Sequence, residues 1–212
     1  MFPIGDDNTG RRTAPLVTYA LIALNLIFFF LELSGGEAFI QQWAFVPRRF
    51  LAYPDTDFLT IFTSMFMHAG VAHLLGNMLY LWIFGDNVED RFGRLKFLAF
   101  YLLCGIAAIF AQLVFDATSN VPNLGASGAI AGVLGAYILM FPQGKVRVLQ
   151  GQQVIQVPAL IVIGLWFVLQ LFSGIGSITD AAQAGGVAYM AHIGGFLAGF
   201  ILTFLFRGGR RA

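Results

Sequence analysis

Charge is what this sequence has least of. Asp, Glu, Lys and Arg make up 11% of its 212 residues, against roughly 25% in an ordinary soluble domain. The formal net charge of +1 excludes the broad basic surface that a nucleic-acid partner would require. Cysteine occurs once, at Cys104 inside an apolar run, so no intrachain disulfide can form and the thiol reads as a small buried hydrophobe. HExxH is missing, and so is any cysteine or carboxylate cluster with ligand spacing. His68 and His73 are therefore not expected to hold a metal, and no cofactor is implied. Internal repeats and low-complexity tracts are absent as well.

What is abundant is apolar sequence: 58% of the residues are hydrophobic and the mean hydropathy is +0.78. A membrane crossing takes about 20 mostly apolar residues, and six segments approximate that length: 15–33, 70–86, 95–115, 126–142, 154–173 and 188–206. The expected fold is an all-α membrane protein, a six-transmembrane-helix bundle in one domain over residues 15–206. A cytoplasmic N-terminal segment, 1–14, would precede it, read as part of a retained anchor with no signal-peptide cleavage site. A basic cytoplasmic tail, 207–212, would follow. The connection 34–69 mixes Trp43, Phe45, Phe50 and Tyr53 with Pro47, Pro54, Arg48 and Arg49, which suits a first loop lying in the membrane interface.

Basic residues set the expected orientation. With the N-terminus inside, ten of the twelve Lys and Arg residues fall on the inner side, and only Arg48 and Arg49 fall outside, as the positive-inside rule requires. The second, fourth and sixth segments then all run inward. Each opens with polar residues: His73 and Asn77, Ser127, and His192. These four side chains are expected at one depth, in the outer half of the bilayer.

A charged side chain inside a bilayer costs about 2.5 kcal/mol or more, so ionisable and strongly polar groups there face the bundle interior and mark a site. A lone serine or histidine is more often a packing or hydrogen-bonding residue. Two lanes of small residues weigh against that blander reading: Gly128, Gly132 and Gly135 on one helix, and His192, Gly195 and Gly199 on another. Lanes of this kind let helices approach backbone to backbone, which would bring Ser127 near His192. Imidazole is the usual base for activating a serine hydroxyl near neutral pH. No Asp or Glu shares this depth in the three segments, so a dyad is expected and not a triad. His73 and Asn77, four apart, can aim at one point as oxyanion donors, together with the backbone around Ser127.

These residues resemble the rhomboid family of intramembrane serine proteases over nearly the whole chain. Three motifs carry the resemblance: HAGVAHLLGNML at 68–79, followed by VEDRFG at 88–93; GASG at 125–128; and AHIGG at 191–195. The resemblance implies an intramembrane serine endopeptidase that uses no cofactor and cleaves transmembrane segments of other membrane proteins. Ser127 would be the nucleophile and His192 the base. His73, Asn77, Ser127 and Gly125 would form the oxyanion hole, with His68, Glu89, Gly128, Gly195 and Gly199 in supporting roles. The family also implies a mobile cap over Ser173–Gly186 and a lateral substrate entry bordered by Trp166 and Phe167.

Localisation is expected in a bacterial inner membrane, with both termini cytoplasmic. Partners would be transmembrane substrates and the lipid bilayer, and no oligomeric state is implied. In many relatives an aromatic four residues after the serine stacks on the catalytic histidine, and here that position is Ala131. The tryptophan-arginine pair common in the first loop is also missing. A catalytically silent client-binding relative is thus the alternative, with a transporter the third reading.

Overall fold

The computed structural model describes residues 2–179 and 188–207. Nine α-helices and three strands occur among them. In chain order these are β1 (Phe2–Asp6), α1 (Leu16–Trp43), α2 (Pro47–Ala52), α3 (Pro54–Asp57), α4 (Thr60–Thr63), α5 (Val71–Phe92), α6 (Arg94–Phe115), α7 (Ser127–Met140), β2 (Lys145–Gln150), β3 (Gln153–Pro158), α8 (Ala159–Thr179) and α9 (Tyr189–Phe206). A 3-10 turn, Ser64–Phe66, follows α4.

The chain is mostly helical, as expected, but it is not all-α. Three strands form an antiparallel sheet in the order β1-β2-β3. The apolar stretch read as the start of a helix at 154 is the strand β3, and α8 begins only at Ala159. Val146 and Val148 point into the core while Lys145 and Arg147 alternate outward, the period of a half-buried strand. Gly151, with φ 62°, closes the β2–β3 hairpin in a conformation that side chains rarely adopt. β1 comes from the N-terminal segment and pairs with β2 across 140 or more residues of sequence, Phe2 opposite Leu149 and Asp6 opposite Val146.

Three helices among the described residues are long and apolar enough to cross a membrane: α1, α6 and α9. α7 is apolar but has 14 residues. α5 ends in the polar run from Asp86 to Arg91. The first expected crossing extends well past residue 33, because α1 continues to Trp43 through a kink at Gly36, φ 57°. Its buried face carries Thr18, Leu21, Asn25, Phe29 and Glu32, spaced three or four apart along one side of the helix. The former connection is therefore shorter and largely helical, through α2 to α4.

α7 is the centre of the bundle, with every residue from Gly128 to Tyr137 buried. Small side chains permit this. A Cβ on Gly195 would overlap the Gly128 carbonyl, and one on Gly199 would overlap the Gly132 backbone, so α9 lies directly against α7. The lane on α7 does more than expected. Gly128 and Gly132 lie against the α9 backbone at Gly195 and Gly199 and also make room for Ala108 and Cys104 of α6, while Gly135 faces the α9 backbone at Phe196 and Phe200. One lane thus serves two neighbours.

Glu89 closes the start of α1. Its carboxylate accepts from the backbone N–H groups of Val17 (3.0 Å) and Thr18 (2.7 Å) and from the Thr18 hydroxyl (2.8 Å). Those N–H groups have no partner inside the helix, and Glu89 is 1% exposed. Its supporting role is that of a buried acceptor tying α5 to α1.

Candidate active site

Ser127 is the first residue of α7, following Ala126 at the cap position. Its backbone N–H and those just after it lie at the positive end of a helix, where the first N–H groups have no intrahelical acceptor. His192 stands in the first turn of α9. Because Gly195 and Gly199 press α9 against α7, the two first turns meet, and His192 Nε2 lies 2.7 Å from Ser127 Oγ. Among the described residues no carboxylate contacts the ring. Its other nitrogen, Nδ1, is 2.7 Å from Gln170 Oε1 on α8.

His73 and Asn77 project from α5 one turn apart, and both line the same cavity as Ser127 and His192. Asn77 is buried, and its amide nitrogen has no hydrogen-bond partner among the described residues. An orphan buried donor costs about 1–3 kcal/mol, and this one belongs to a residue that lines the cavity. Gly125 adopts φ 133°; a Cβ there would lie 3.0 Å from His73 Cε1 and 3.5 Å from Ser127 Oγ. The space above Gly125 is therefore bounded by the serine and by His73. Gly125 contributes that space and no donor, because its N–H is bonded to the Ser64 carbonyl at 2.9 Å.

His68 lies outside this constellation. It is 3% exposed, its backbone N–H is held by the Glu32 carboxylate (2.9 Å to Oε2), and its ring meets His73 edge-on at 5.2 Å. The contact braces the His73 ring from behind. Glu32 went unnoticed in the sequence although it is an acid in an apolar helix, which is a visible signal.

The cavity has a volume of about 890 Å³. Its lining includes Gly76, Tyr80, Ile130, Leu134 and Trp166 together with the polar residues Glu37, Gln41 and Asn123. The serine thus sits in a largely apolar cavity that also carries polar groups. Among the described residues no group of three His, Cys, Asp or Glu side chains could hold a metal ion. The expected cap, Ser173–Gly186, is helical as far as Thr179, and the rest of it lies outside the described residues.

What holds the His192 ring in place of the aromatic missing at Ala131 is α8. Trp166 lies 5.9 Å from the imidazole, tilted by 39°. Tyr189, on α9 itself, approaches edge-on at 6.5 Å. Trp166 and Gln170 are four apart and share one face of α8. The legible signal for Gln170 was an amide in an otherwise apolar helix.

The family model described as "Rhomboid domain" matches residues 55–209. Among curated proteins, the chain is similar to "Rhomboid protease GluP" of Bacillus subtilis, 35% identical over 188 residues, covering 87% of this chain and 34% of that protein. It is similar to "Rhomboid protein 1, mitochondrial" of Saccharomyces cerevisiae, 30% identical, covering 87% and 51%. It also resembles "Putative rhomboid protease YdcA" of Bacillus subtilis, 27% identical, covering 92% and 89%. The chain spans about a third to a half of the first two relatives and nearly all of the third. With the domain model covering most of its length, this chain belongs to the rhomboid family of integral membrane proteins.

Proposed function

We propose that this protein is an intramembrane serine endopeptidase, with Ser127 as nucleophile and His192 as general base, acting on transmembrane segments of other membrane proteins. The observation that carries the reading is the 2.7 Å approach of His192 Nε2 to Ser127 Oγ at the wall of a cavity that Asn77 also lines.

In the proposed reaction, Ser127 Oγ attacks a substrate carbonyl carbon while His192 Nε2 takes the hydroxyl proton. The carbonyl oxygen becomes an oxyanion above Gly125, within reach of donors from Asn77, His73 and the Ser127 backbone. As the tetrahedral intermediate collapses, the peptide C–N bond breaks and His192 returns the proton to the leaving amine. Water then adds to the acyl-serine ester, again giving its proton to His192, and serine is released with the second product. These steps use no metal and no cofactor.

The proposed topology has six membrane crossings, formed by α1, α5, α6, α7, α8 and α9. Both termini are cytoplasmic, as the distribution of Lys and Arg favours. The serine then lies in the outer half of a bacterial inner membrane, with the β1-β2-β3 sheet at the inner surface. Residues 1–14, 15–206 and 207–212 form the N-terminal segment, the protease domain and the tail. Against the silent-relative alternative, which rests on Ala131, stand the contacts that Trp166 and Gln170 make with the His192 ring.

The test compares wild type with Ser127→Ala and His192→Ala in liposomes, reading cleavage of a transmembrane reporter and labelling by a fluorophosphonate probe. Wild type is expected to cleave and to be labelled at Ser127, and both variants to lose both activities. Cleavage that persists in both variants overturns the reading.

A further inference from the structure

The reaction proposed above uses one nitrogen of the His192 ring and leaves the other unexplained. We infer that Gln170 is a positioning residue, holding His192 in the tautomer with its proton on Nδ1 and aiming Nε2 at Ser127, in the place a carboxylate occupies in a triad. The inference rests on the Ser127–His192 reading for its consequence, but its geometry stands independently.

A neutral imidazole carries a single N–H, and which nitrogen bears it is set by the hydrogen bond the other makes. Gln170 Oε1, 2.7 Å from Nδ1, is an acceptor and cannot donate. The proton therefore belongs on Nδ1, which donates it to the amide oxygen. Nε2 is left with its lone pair toward the Ser127 hydroxyl, at 2.7 Å, and that is the state a general base requires. The opposite tautomer would turn an N–H toward the serine and leave it no base.

The surroundings narrow the role further. From Ala159 to Phe172, α8 reads ALIVIGLWFVLQLF, and Gln170 is its one amide. A polar side chain among apolar neighbours in a bilayer needs a partner, and here that partner is the ring. Trp166, one turn earlier, covers the same imidazole at 5.9 Å. α8 thus supplies both a surface against the ring and an acceptor at its edge. Asp and Glu are missing from this position, so the base is oriented without the added negative charge that would stabilise imidazolium.

The experiment uses the full chain in liposomes, with Gln170→Leu and Gln170→Glu. Leucine puts an apolar side chain of similar size in its place and removes the acceptor; glutamate keeps the acceptor and adds charge. With 15N-labelled histidine, only three residues contribute signals, and His192→Ala assigns the one of interest. Wild type is expected in the Nδ1–H form, and Gln170→Leu in a mixture or in the Nε2–H form.

The second readout is the rate of fluorophosphonate labelling at Ser127 and the pH profile of kcat. Gln170→Leu is expected to slow labelling and kcat on the order of 100-fold, with KM unchanged, because an incorrect tautomer removes general-base catalysis. Gln170→Glu is expected to restore most of the rate and to move the acidic limb of the kcat profile up by about one pH unit, since a nearby carboxylate favours imidazolium. A packing role predicts the reverse order, with leucine tolerated and glutamate harmful.

Wild-type tautomer and labelling in Gln170→Leu would overturn the inference while leaving the protease reading intact. An unlabelled wild type whose tautomer still depends on Gln170 would instead remove the protease reading and keep the positioning role. The two failures are therefore distinguishable.

Discussion

The two ends of α7 carry polar clusters built on opposite terms. At the sheet end, Tyr137 donates to Asp6 Oδ2 at 2.8 Å, Asn87 Nδ2 donates to the same oxygen at 2.6 Å, and Arg11 pairs with Asp86 at 2.5 Å. Glu89 is satisfied by three donors nearby. At the Ser127 end, ten residues or about 15 Å away along the axis, the amide nitrogen of Asn77, a residue that lines the cavity, has no partner among the described residues. Buried polar groups are normally paired; at the sheet end Asp6 Oδ1 is left without a partner among the described residues, but the other carboxylate oxygen takes two donors, so that end reads as a clasp. Under the proposed function, the Ser127 end offers Asn77 to a ligand that brings an acceptor. The contrast separates structure from chemistry within one helix bundle.

Substitutions that strike one end and spare the other sharpen this contrast. The largest effect is expected from Asn77→Ala, which should lower kcat about 100-fold to 1000-fold, the usual loss for one oxyanion donor. Its melting temperature in detergent should not fall, since no hydrogen bond is broken. Gly199→Val comes next: its side chain would collide with the Gly132 backbone, a contact that no rotamer relieves. About 3 kcal/mol of stability should be lost and activity should fall with it, as α9 carries His192. A variant that melts and cleaves like wild type would refute the account of the lane.

Glu89→Gln tests the clasp. Replacing one acceptor oxygen with an amide nitrogen sets a donor against either the Val17 N–H or the Thr18 donors, so stability should drop by about 2 kcal/mol, while residual folded protein keeps its labelling rate. The smallest effect belongs to Asp6, whose carboxyl is pushed up to about 6 chiefly by burial. In the window between the ordinary carboxylate value and about 6, the folded protein holds a proton that the unfolded chain has released. Stability therefore falls as pH rises through that window and changes no further above it. Asp6→Asn should flatten the difference in melting temperature between about pH 4.5 and about pH 7.5; an undiminished difference would locate the titrating group elsewhere.

Much of the site was legible because its residues recur on helical periods. His73 and Asn77, and the lane from His192 to Gly199, declare one face each, whatever those faces meet. Gln170 was not legible in the same way. A single amide in α8 has no period, and its role depends on a ring that belongs to another helix. The sheet escaped for a different reason: Gln153–Pro158 runs directly into the apolar α8, so the strand reads as the first turn of a longer helix. The alternation around Val146 and Val148, and the turn glycine at Gly151, were the signals that went unused.

Composition and periodicity by themselves determined that this chain belongs in a membrane, that it is mostly helical, and which residues are candidates for chemistry. Those properties follow from local geometry and from the transfer of side chains into lipid. Only the tertiary structure decided that Gly128 and Gly132 serve α6 as well as α9, that the Gly125 N–H is taken by the Ser64 carbonyl, and that β1 closes onto β2. It also decided which nitrogen of His192 meets which partner. Each of these is a contact between segments far apart in sequence, set by how whole helices dock and not by any local preference.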